Sequence, residues 1–284
     1  MTKKFEIFET VSSMMQYIDN NPKRHSIGFV PTMGYFHAGH LSLVEKSISQ
    51  NQKTIVSIFV NPTQFGKNED FNQYPRDIQR DLNLLRELKV DAIFIPPNDQ
   101  LYPENYLTYV DVHEISEMYC GKSRPGHFRG VATIITKLIN IIRPHQMYMG
   151  EKDFQQIVIL EKMITDLHFH TKVVRCPIIR EEDGLAMSSR NIYLNDDERL
   201  NAVSLYHSLL LAKQLVGEGI TDISVIKERM TEMIEKNQGN INYIGFINDH
   251  TFAGEESVTQ DTRILLAVMF GRTRLIDNMR VAWA

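Results

Sequence analysis

Short apolar runs alternate with segments of helical periodicity through residues 1–176, and this alternation limits the possible folds more than any other feature of the chain. Apolar residues recur at helical spacing between positions 41 and 48 and again between 78 and 88. The runs that we interpret as buried strands are Ser26 to Pro31, Thr54 to Val60, Asp91 to Pro96, Gln146 to Met149 and Thr171 to Cys176. Strands joined by helices are parallel and covered on both faces, so the sequence predicts an α/β fold with a Rossmann-like, doubly wound parallel sheet. Ligands of such sheets bind at the carboxyl ends of the strands.

The pattern changes after Cys176, which predicts a second, smaller α/β domain. A polar stretch leads to Asn195, a candidate helix N-cap that is followed by acidic residues. The elements expected beyond it are helices at Leu200 to Val216 and Ile223 to Lys236, and strands at Ile241 to Ile247, Arg263 to Phe270 and Thr273 to Ile276. We therefore divide the chain into domains at residues 1–176 and 177–284.

Composition excludes several classes of protein. The 284 residues include 31 Lys and Arg against 35 Asp and Glu, with no basic run, so bulk charge gives no reason to expect nucleic-acid binding. Two cysteines, Cys120 and Cys176, cannot build a disulfide framework. The N-terminus does not resemble a signal peptide, and the longest apolar stretch, Val131 to Ile142, is well short of the roughly 20 residues of a membrane span. We expect a cytoplasmic protein with small-molecule partners, no nucleic acid and no membrane.

The turn after the first predicted strand has the features of an anion site. Gly34 and Gly39 allow close approach of a ligand, and His37 and His40 stand three residues apart where a helix begins. The N-terminus of a helix presents backbone N–H groups and a positive dipole end, which suit a triphosphate. A single histidine there is usually structural, but two in the spacing HxGH favour phosphate binding.

Further loops add charge and hydrogen-bonding groups at the same predicted edge of the sheet. Lys152 follows the strand Gln146 to Met149 and can neutralise charge on a phosphate, although an ion pair with Glu151 or Asp153 is the simpler interpretation of that residue alone. Gln64 and Gln156 can both donate and accept, which suits a substrate with hydroxyl groups.

A polar loop downstream, Met187 to Arg190, offers serine hydroxyls and one guanidinium for phosphate. Because the stretch 181–190 is rich in polar residues and offers little apolar surface to bury, we expect it to be mobile until a nucleotide binds.

The motif HxGH resembles the signature of the nucleotidylyltransferase superfamily, with Met187 to Arg190 standing where that superfamily carries a mobile phosphate-binding loop. Across almost the whole chain the motifs are similar to those of the pantothenate synthetase family of pantoate–β-alanine ligases: PTMGYFHAGHLSLV, IFVNPTQFG, EDFNQYPR, RPGHFRGVATIITKL, MGEKDFQQ, DGLAMSSRNIYL and TRLIDNM. The resemblance implies condensation of pantoate with β-alanine, with ATP as co-substrate, through a pantoyl adenylate. It also implies Mg²⁺ with ATP and a homodimer.

The resemblance assigns roles residue by residue. It implies that His37, His40 and Lys152 are catalytic, that Met33, Gln64 and Gln156 bind pantoate, and that Gln64 also meets β-alanine. The residues that it places at ATP are Val30, Pro31, Thr32, Met33, Gly34, Tyr35, Phe36, His37, Gly150, Glu151, Lys152, Asp153, Ile179, Met187, Ser188, Ser189 and Arg190. Asn61, Arg124 and His127 lie in family motifs without a definite role. The protein ligands of the metal stay unknown, with Asp81 a candidate ligand or a group behind one.

Two other functions are compatible with parts of the pattern. A nucleotidylyltransferase of the same superfamily would transfer its nucleotidyl group to a phosphorylated acceptor, and would need no amine. A non-catalytic nucleotide sensor of the same fold would be expected to lack His37, His40 or Lys152, all of which are present.

Overall fold

The structure is a computed structural model that describes residues 5–21, 26–67 and 69–281. The chain divides into two compact units. The first, called here the N-terminal unit, comprises Met1–Glu151 and Gln155–Pro177, and the second, the C-terminal unit, comprises Lys152–Phe154 and Ile178–Ala284. The short segment around Lys152 therefore groups with the second unit.

The N-terminal unit is built on a sheet of six parallel strands, in the order β1-β4-β3-β2-β5-β6. The strands are β1 Glu6–Phe8, β2 Ile27–Thr32, β3 Lys53–Ile58, β4 Ala92–Phe94, β5 Gln146–Gly150 and β6 Lys172–Cys176. The helices of this part of the chain are α1 Val11–Asp19, α2 Ala38–Gln50, α3 Ile78–Leu88, α4 Asn98–Leu101, α5 Cys120–Ser123, α6 His127–Ile142 and α7 Phe154–Asp166.

The strand order confirms the doubly wound sheet. From β2 the chain continues to β3 and β4 on one side, and then returns to β5 on the other side of β2, with Gly28 opposite Gln146. The winding direction therefore reverses between β2 and β5. In open α/β sheets, ligands bind at the carboxyl ends of the strands at such a switch point.

Alternation along the central strands places one apolar core on each face of the sheet. Phe29 of β2 and Ile55 of β3 belong to the core under α6 and α7, whereas the next residues, Val30 and Val56, belong to the core under α2 and α3. All four side chains are fully buried. A strand that is buried on both faces is apolar at successive positions, which is why these strands read as continuous apolar runs.

The apolar stretch Val131 to Ile142 lies within helix α6 and packs against the first of these cores. Within the described ranges, no helix is both long enough and apolar enough to cross a membrane.

The C-terminal unit packs helices against a three-stranded antiparallel sheet in the order β7-β8-β9. Its elements are α8 Asp196–Ala202, α9 Ser204–Gly217, α10 Ile223–Lys236, β7 Asn240–Asn248, β8 Thr262–Phe270 and β9 Thr273–Arg280. The expected N-cap is present, because Asn195 and Glu198 form a reciprocal capping box.

The structure differs from the sequence prediction at two elements. The single helix expected from Leu200 to Val216 is divided at Val203, whose φ of -60° and ψ of -22° give a tighter, 3-10-like turn between α8 and α9. The sequence does not predict strand β1, because it is a three-residue edge strand in which Glu6 and Ile7 are exposed and no apolar run marks it.

Candidate active site

An aspartate from another helix fixes the conformation of the turn between β2 and α2. Gly34 and Tyr35 have φ values of 81° and 52°. The Asp81 carboxylate of α3 accepts hydrogen bonds from the backbone N–H groups of Tyr35 (2.6 Å) and Phe36 (2.8 Å). A Cβ at Gly34 would lie 2.9 Å from both Asp81 Oδ2 and Ile58 Cγ2, so the position requires glycine for space as well as for φ.

Asp81 is 1% exposed, and burial raises the pKa of its carboxyl group while the two backbone hydrogen bonds oppose that shift. From the sequence, Asp81 is a candidate metal ligand or a group behind one. The structure instead places both carboxylate oxygens on the backbone of the turn, where they set the conformation of the residues that precede His37.

Replacement of Asp81 by Asn is expected to destabilise the fold by about 1–3 kcal/mol, because an amide NH₂ would replace one oxygen and meet a buried backbone donor. Chemical denaturation measures this change. Asp77→Asn is the matched control: Asp77 caps the same helix through the backbone N–H of Arg80, and asparagine caps equally well. Equal stability of the two variants would contradict the role given to Asp81.

The two histidines form a reciprocal cap at the start of α2. His37 Nδ1 accepts from the backbone N–H of Gly39 (3.1 Å), and His40 Nδ1 accepts from the backbone N–H of His37 (3.4 Å). Their ring centroids are 4.1 Å apart. Since both Nδ1 atoms accept, each neutral ring carries its proton on Nε2. The cap thus fixes the tautomer in which both Nε2 atoms are donors.

Two residues expected at ATP lie inside the core instead of at the surface. The side chains of Val30 and Phe36 are fully buried, so only their backbone could meet a ligand. The reason is the alternation of β2 and the close turn, which direct these side chains into the core under α2. Pro31, Thr32, Met33 and Tyr35 are half-buried.

Gln64 is oriented by neighbouring side chains in the loop after β3. Its Oε1 accepts from Asn61 Nδ2 (3.2 Å), and its Nε2 points at Met33 Sδ (2.9 Å). The structure therefore brings together Met33 and Gln64, two of the residues predicted to bind pantoate. The loop itself packs on α6 at Gly130, whose carbonyl accepts from Asn61 Nδ2 (3.1 Å).

Arg124, which follows α5, and His127, the first residue of α6, support the same loop. His127 Nδ1 lies 2.8 Å from the Gln64 carbonyl, and Arg124 makes a two-pronged ion pair with Glu69. Burial favours a higher pKa for Glu69, but Arg124, the charge of His127 and the Gly66 backbone hydrogen bond together outweigh it, so the pKa of Glu69 is lowered. Arg124 Nη2 also donates to the Gln64 carbonyl (3.4 Å), so these two residues, which have no definite role from the sequence, both hold the backbone of Gln64.

Lys152 lies in a 3-10 turn, Glu151–Asp153, directly after β5. Asn278 Nδ2 of β9 donates to the Lys152 carbonyl (3.1 Å). The neighbouring Asp277 is 2% exposed and binds Arg180 through both carboxylate oxygens, at 2.6 and 2.9 Å. Burial raises the Asp277 pKa, while Arg180 and the charge of Lys152 act against that shift.

The two glutamines at the start of α7 have different roles. Gln155 is 5% exposed, donates to the carbonyls of Ile115 and Met118 (both 2.8 Å), and accepts from the N–H of Cys120. Gln156 is half-buried, and in the described ranges its amide makes no hydrogen bond to the protein. Gln156 is thus the member of the pair that can meet a substrate.

The polar loop near Arg190 is more ordered by packing than its composition predicts. The Met187 N–H donates to the Ile179 carbonyl (3.0 Å), and Ser188 caps a short 3-10 turn through the N–H of Arg190. Leu185 is only 2% exposed and belongs to the core of the C-terminal unit. The expectation that 181–190 buries little apolar surface is therefore wrong for its centre, and the mobility of the loop stays a prediction.

Sequence reasoning did not identify the contacts of Gly130 and Gln155 within the N-terminal unit, or those of Asp277 and Asn278 within the C-terminal unit. The motifs RPGHFRG, GEKDFQQ and TRLIDNM contain these residues, but their partners lie 35 to 126 residues away along the chain. No local spacing could have shown those contacts.

The family model described as pantoate-beta-alanine ligase matches residues 6–280. A pantothenate synthetase of Thermosipho africanus is 48% identical over 98% of this chain and 99% of its own length. One of Fervidobacterium nodosum is 52% identical over 90% of this chain and 92% of its own length.

Solved structures agree with these sequence relatives. Pantothenate synthetase of Thermus thermophilus has a TM-score of 0.93 at 38% identity, covering 98% of this chain and 100% of that chain. Pantoate-beta-alanine ligase of Francisella tularensis, solved in complex with beta-gamma ATP and beta-alanine, has a TM-score of 0.83 at 35% identity and covers 98% of each chain.

Proposed function

The chain belongs to the pantoate-β-alanine ligase family, and from that membership we propose that His37, His40 and Lys152 perform the first half of an ATP-dependent ligation of pantoate with β-alanine. The family match over residues 6–280 carries the assignment of the reaction. The roles of individual residues follow the family resemblance, supported for His37, His40 and Gln64 by the hydrogen bonds described above.

Ligation of this kind needs an activated acyl group, because a free carboxylate is a poor electrophile. A pantoate carboxylate oxygen attacks the α-phosphorus of ATP, the bond to the departing pyrophosphate breaks, and pantoyl adenylate forms. The β-alanine amine then attacks the acyl carbon, AMP leaves with its electron pair, and the amine loses a proton. Phosphoryl transfer of this type is achieved by positioning and charge stabilisation, so no protein nucleophile is required.

We assign each group according to its chemistry. The Nε2–H groups of His37 and His40 are suited to donate to phosphate oxygens at the start of α2, and the Lys152 ammonium to neutralise the charge that develops on the α-phosphate. Gln64 and Gln156 are proposed to offer their amides to the hydroxyl and carboxylate oxygens of pantoate, and Gln64 is also proposed to meet β-alanine. The remaining proposed ATP contacts are the backbone of 30–36, Gly150, Glu151, Asp153, Ile179, and Met187, Ser188, Ser189 and Arg190.

Mg²⁺ is proposed to enter with the triphosphate of ATP. Among the residues that the structure describes, no three His, Cys, Asp or Glu side chains come together as a metal site, and the Asp81 carboxylate is occupied by the turn. This donor set does not fit a dedicated protein site. It is compatible with a cation held mainly by phosphate oxygens, as Mg²⁺ commonly is in nucleotide enzymes.

We also propose a cytoplasmic homodimer, on family resemblance. Transfer of a nucleotidyl group to a phosphorylated acceptor, the alternative considered from the sequence, is not favoured, since the relatives that cover nearly the whole chain are ligases. Pantoate-dependent exchange of labelled pyrophosphate into ATP tests the first half-reaction. Exchange should occur without β-alanine, and its absence with active protein would contradict the adenylate.

His40→Asn is expected to lower kcat/KM for pantoate-dependent pyrophosphate release by roughly ten- to a hundred-fold, the value of one hydrogen bond to a charged group at about 1.5–3 kcal/mol. Asparagine retains an acceptor near the Nδ1 position, so the helix cap survives while the Nε2 donor is lost. The exposed His170→Asn serves as control. Wild-type rates in His40→Asn would remove this residue from the mechanism.

A further inference from the structure

Tyr102 lies just after α4, and its side chain reaches the loop that carries Gln64. The Tyr102 hydroxyl donates to Asn61 Oδ1 (2.9 Å) and is 3.1 Å from Thr63 Oγ1. Its ring stacks beside Phe59, with centroids 6.3 Å apart. Nothing in the roles proposed above uses this residue.

The neighbours of Asn61 fix which end of its side-chain amide is the oxygen and which is the nitrogen. Asn61 is 1% exposed. Asn61 Nδ2 donates to the Gly130 carbonyl, which can only accept. Asn61 Oδ1 accepts from the Thr63 N–H, which can only donate, at 3.4 Å. The hydroxyls of Thr63 and Tyr102 add donors to Oδ1, at 2.9 Å each. Nδ2 is therefore directed toward Gln64.

The orientation of the Asn61 amide determines the orientation of the Gln64 amide. Because Asn61 Nδ2 donates to Gln64 Oε1, the other end of the glutamine amide, Nε2, faces Met33 Sδ. A thioether sulfur is a weak acceptor. An oxygen of a ligand bound beside Met33 would therefore accept a stronger hydrogen bond from Gln64 Nε2 than the Met33 sulfur does.

We propose that Tyr102 is a specificity-determining positioning residue: by donating to Asn61 Oδ1, its hydroxyl holds the Asn61 amide in the place from which Gln64 presents an N–H donor to an oxygen of the hydroxy-acid substrate. The inference rests on the proposed function, in which that substrate is pantoate. It identifies the group recognised at Gln64 as an oxygen that accepts, the terminal hydroxyl of pantoate.

Tyr102 is itself anchored from α6. Lys137 Nζ donates to the carbonyl of the preceding Leu101 (2.5 Å) and lies over the rings of Tyr102 and Tyr106, at 5.1 and 3.8 Å from their centroids. Burial raises the pKa of Tyr102 to about 12. The hydroxyl thus stays protonated, and able to donate, at neutral pH.

Tyr102→Phe removes the hydroxyl and keeps the ring. We expect KM for pantoate to rise roughly five- to thirty-fold, with KM for ATP unchanged, and the preference for pantoate over an analogue without the terminal hydroxyl to fall by a similar factor. Tyr106→Phe is the matched control, because Tyr106 belongs to the same segment and contacts Lys137 through its ring. It should behave as the wild type in all three measurements.

A double-mutant cycle separates positioning through Gln64 from a general structural effect. In a Gln64→Ala background, Tyr102→Phe should change KM for pantoate no further. A Tyr102→Phe enzyme with unchanged KM and preference, with equal increases in both KM values, or with an additive effect in the Gln64→Ala background would overturn the inference. Wild-type protein that forms no AMP from pantoate would instead contradict the proposed function.

Discussion

Lys152→Ala is expected to lower the rate of pantoate-dependent pyrophosphate release about 10²- to 10³-fold, the usual cost of removing a preorganised group that stabilises developing charge. The variant should fold normally, because Lys152 is half-buried and Asn278 binds its backbone carbonyl instead of its side chain. The same substitution should leave the conversion of pre-formed pantoyl adenylate and β-alanine into product much less affected, since the proposed role of Lys152 is in the first step.

Lys162→Ala provides the matched control for that loss. Lys162 lies on the exposed face of α7, the helix that begins shortly after Lys152, and it pairs with Asp166 at 2.5 Å. An exposed pair of this kind contributes between about 0 and 1 kcal/mol to stability, so both rate and fold should be close to wild type. A Lys152→Ala enzyme that releases pyrophosphate at the control rate would exclude Lys152 from the chemistry.

Gly130→Ala is expected to lower kcat/KM for pantoate about 10²-fold, the loss that a displacement of about 1 Å at a substrate-positioning group can cause. A Cβ at Gly130 would lie 2.7 Å from the backbone nitrogen of Gln64 and closer still to the Thr63 carbonyl. Since these neighbours are backbone atoms, the loop that carries Gln64 must move. ATP binding should change little, because the turn at Gly34 does not depend on this contact.

Stability distinguishes the clash at Gly130 from an ordinary change of helix propensity. Alanine normally favours a helix over glycine by about 0.8–1 kcal/mol, so an unhindered site would be stabilised. At Gly130 we expect a net loss within the range of overpacking, about 1–3 kcal/mol. Gly217→Ala, where nothing lies within 4 Å of the added Cβ, is the control. Unchanged pantoate kinetics with increased stability in Gly130→Ala would contradict this account.

The central sheet could be predicted from the sequence because its strands are buried on both faces. Strands such as β2 and β3 are apolar at successive positions, and the helices between them have a single apolar stripe. Strand β1 could not be predicted because it depends on pairing with β4, more than 80 residues away, and its own three residues have no distinctive pattern. The division of the expected helix at Val203 also has no signal in the local sequence.

The candidate site was predictable where its residues follow strands directly. His37, Gln64 and Lys152 each stand a few residues after a strand, so the rule that ligands bind at strand ends selects all three as candidates. Their supports were not predictable. The Asp81 carboxylate accepts from the Tyr35 N–H, 46 residues away, and Asn278 donates to the Lys152 carbonyl, 126 residues away. Such contacts exist only once the chain has folded.

Burial also changed the interpretation of individual residues. Val30 and Phe36 belong to motifs associated with ATP, yet their side chains are part of the core, so a motif identifies a segment more reliably than the atoms that meet a ligand. Gln155 and Gln156 show the same distinction between neighbours, since one holds the protein backbone and the other remains available to substrate.

The most direct test of adenylation followed by amide formation is to trace the pantoate oxygens. Pantoate labelled with ¹⁸O in its carboxylate is incubated with the wild-type protein, ATP, Mg²⁺ and β-alanine, and the products are analysed by mass spectrometry. We predict pantothenate together with AMP that has gained one ¹⁸O atom. Continued formation of both products should require β-alanine. Unlabelled AMP, or ADP with labelled inorganic phosphate, would contradict attack of pantoate on the α-phosphate.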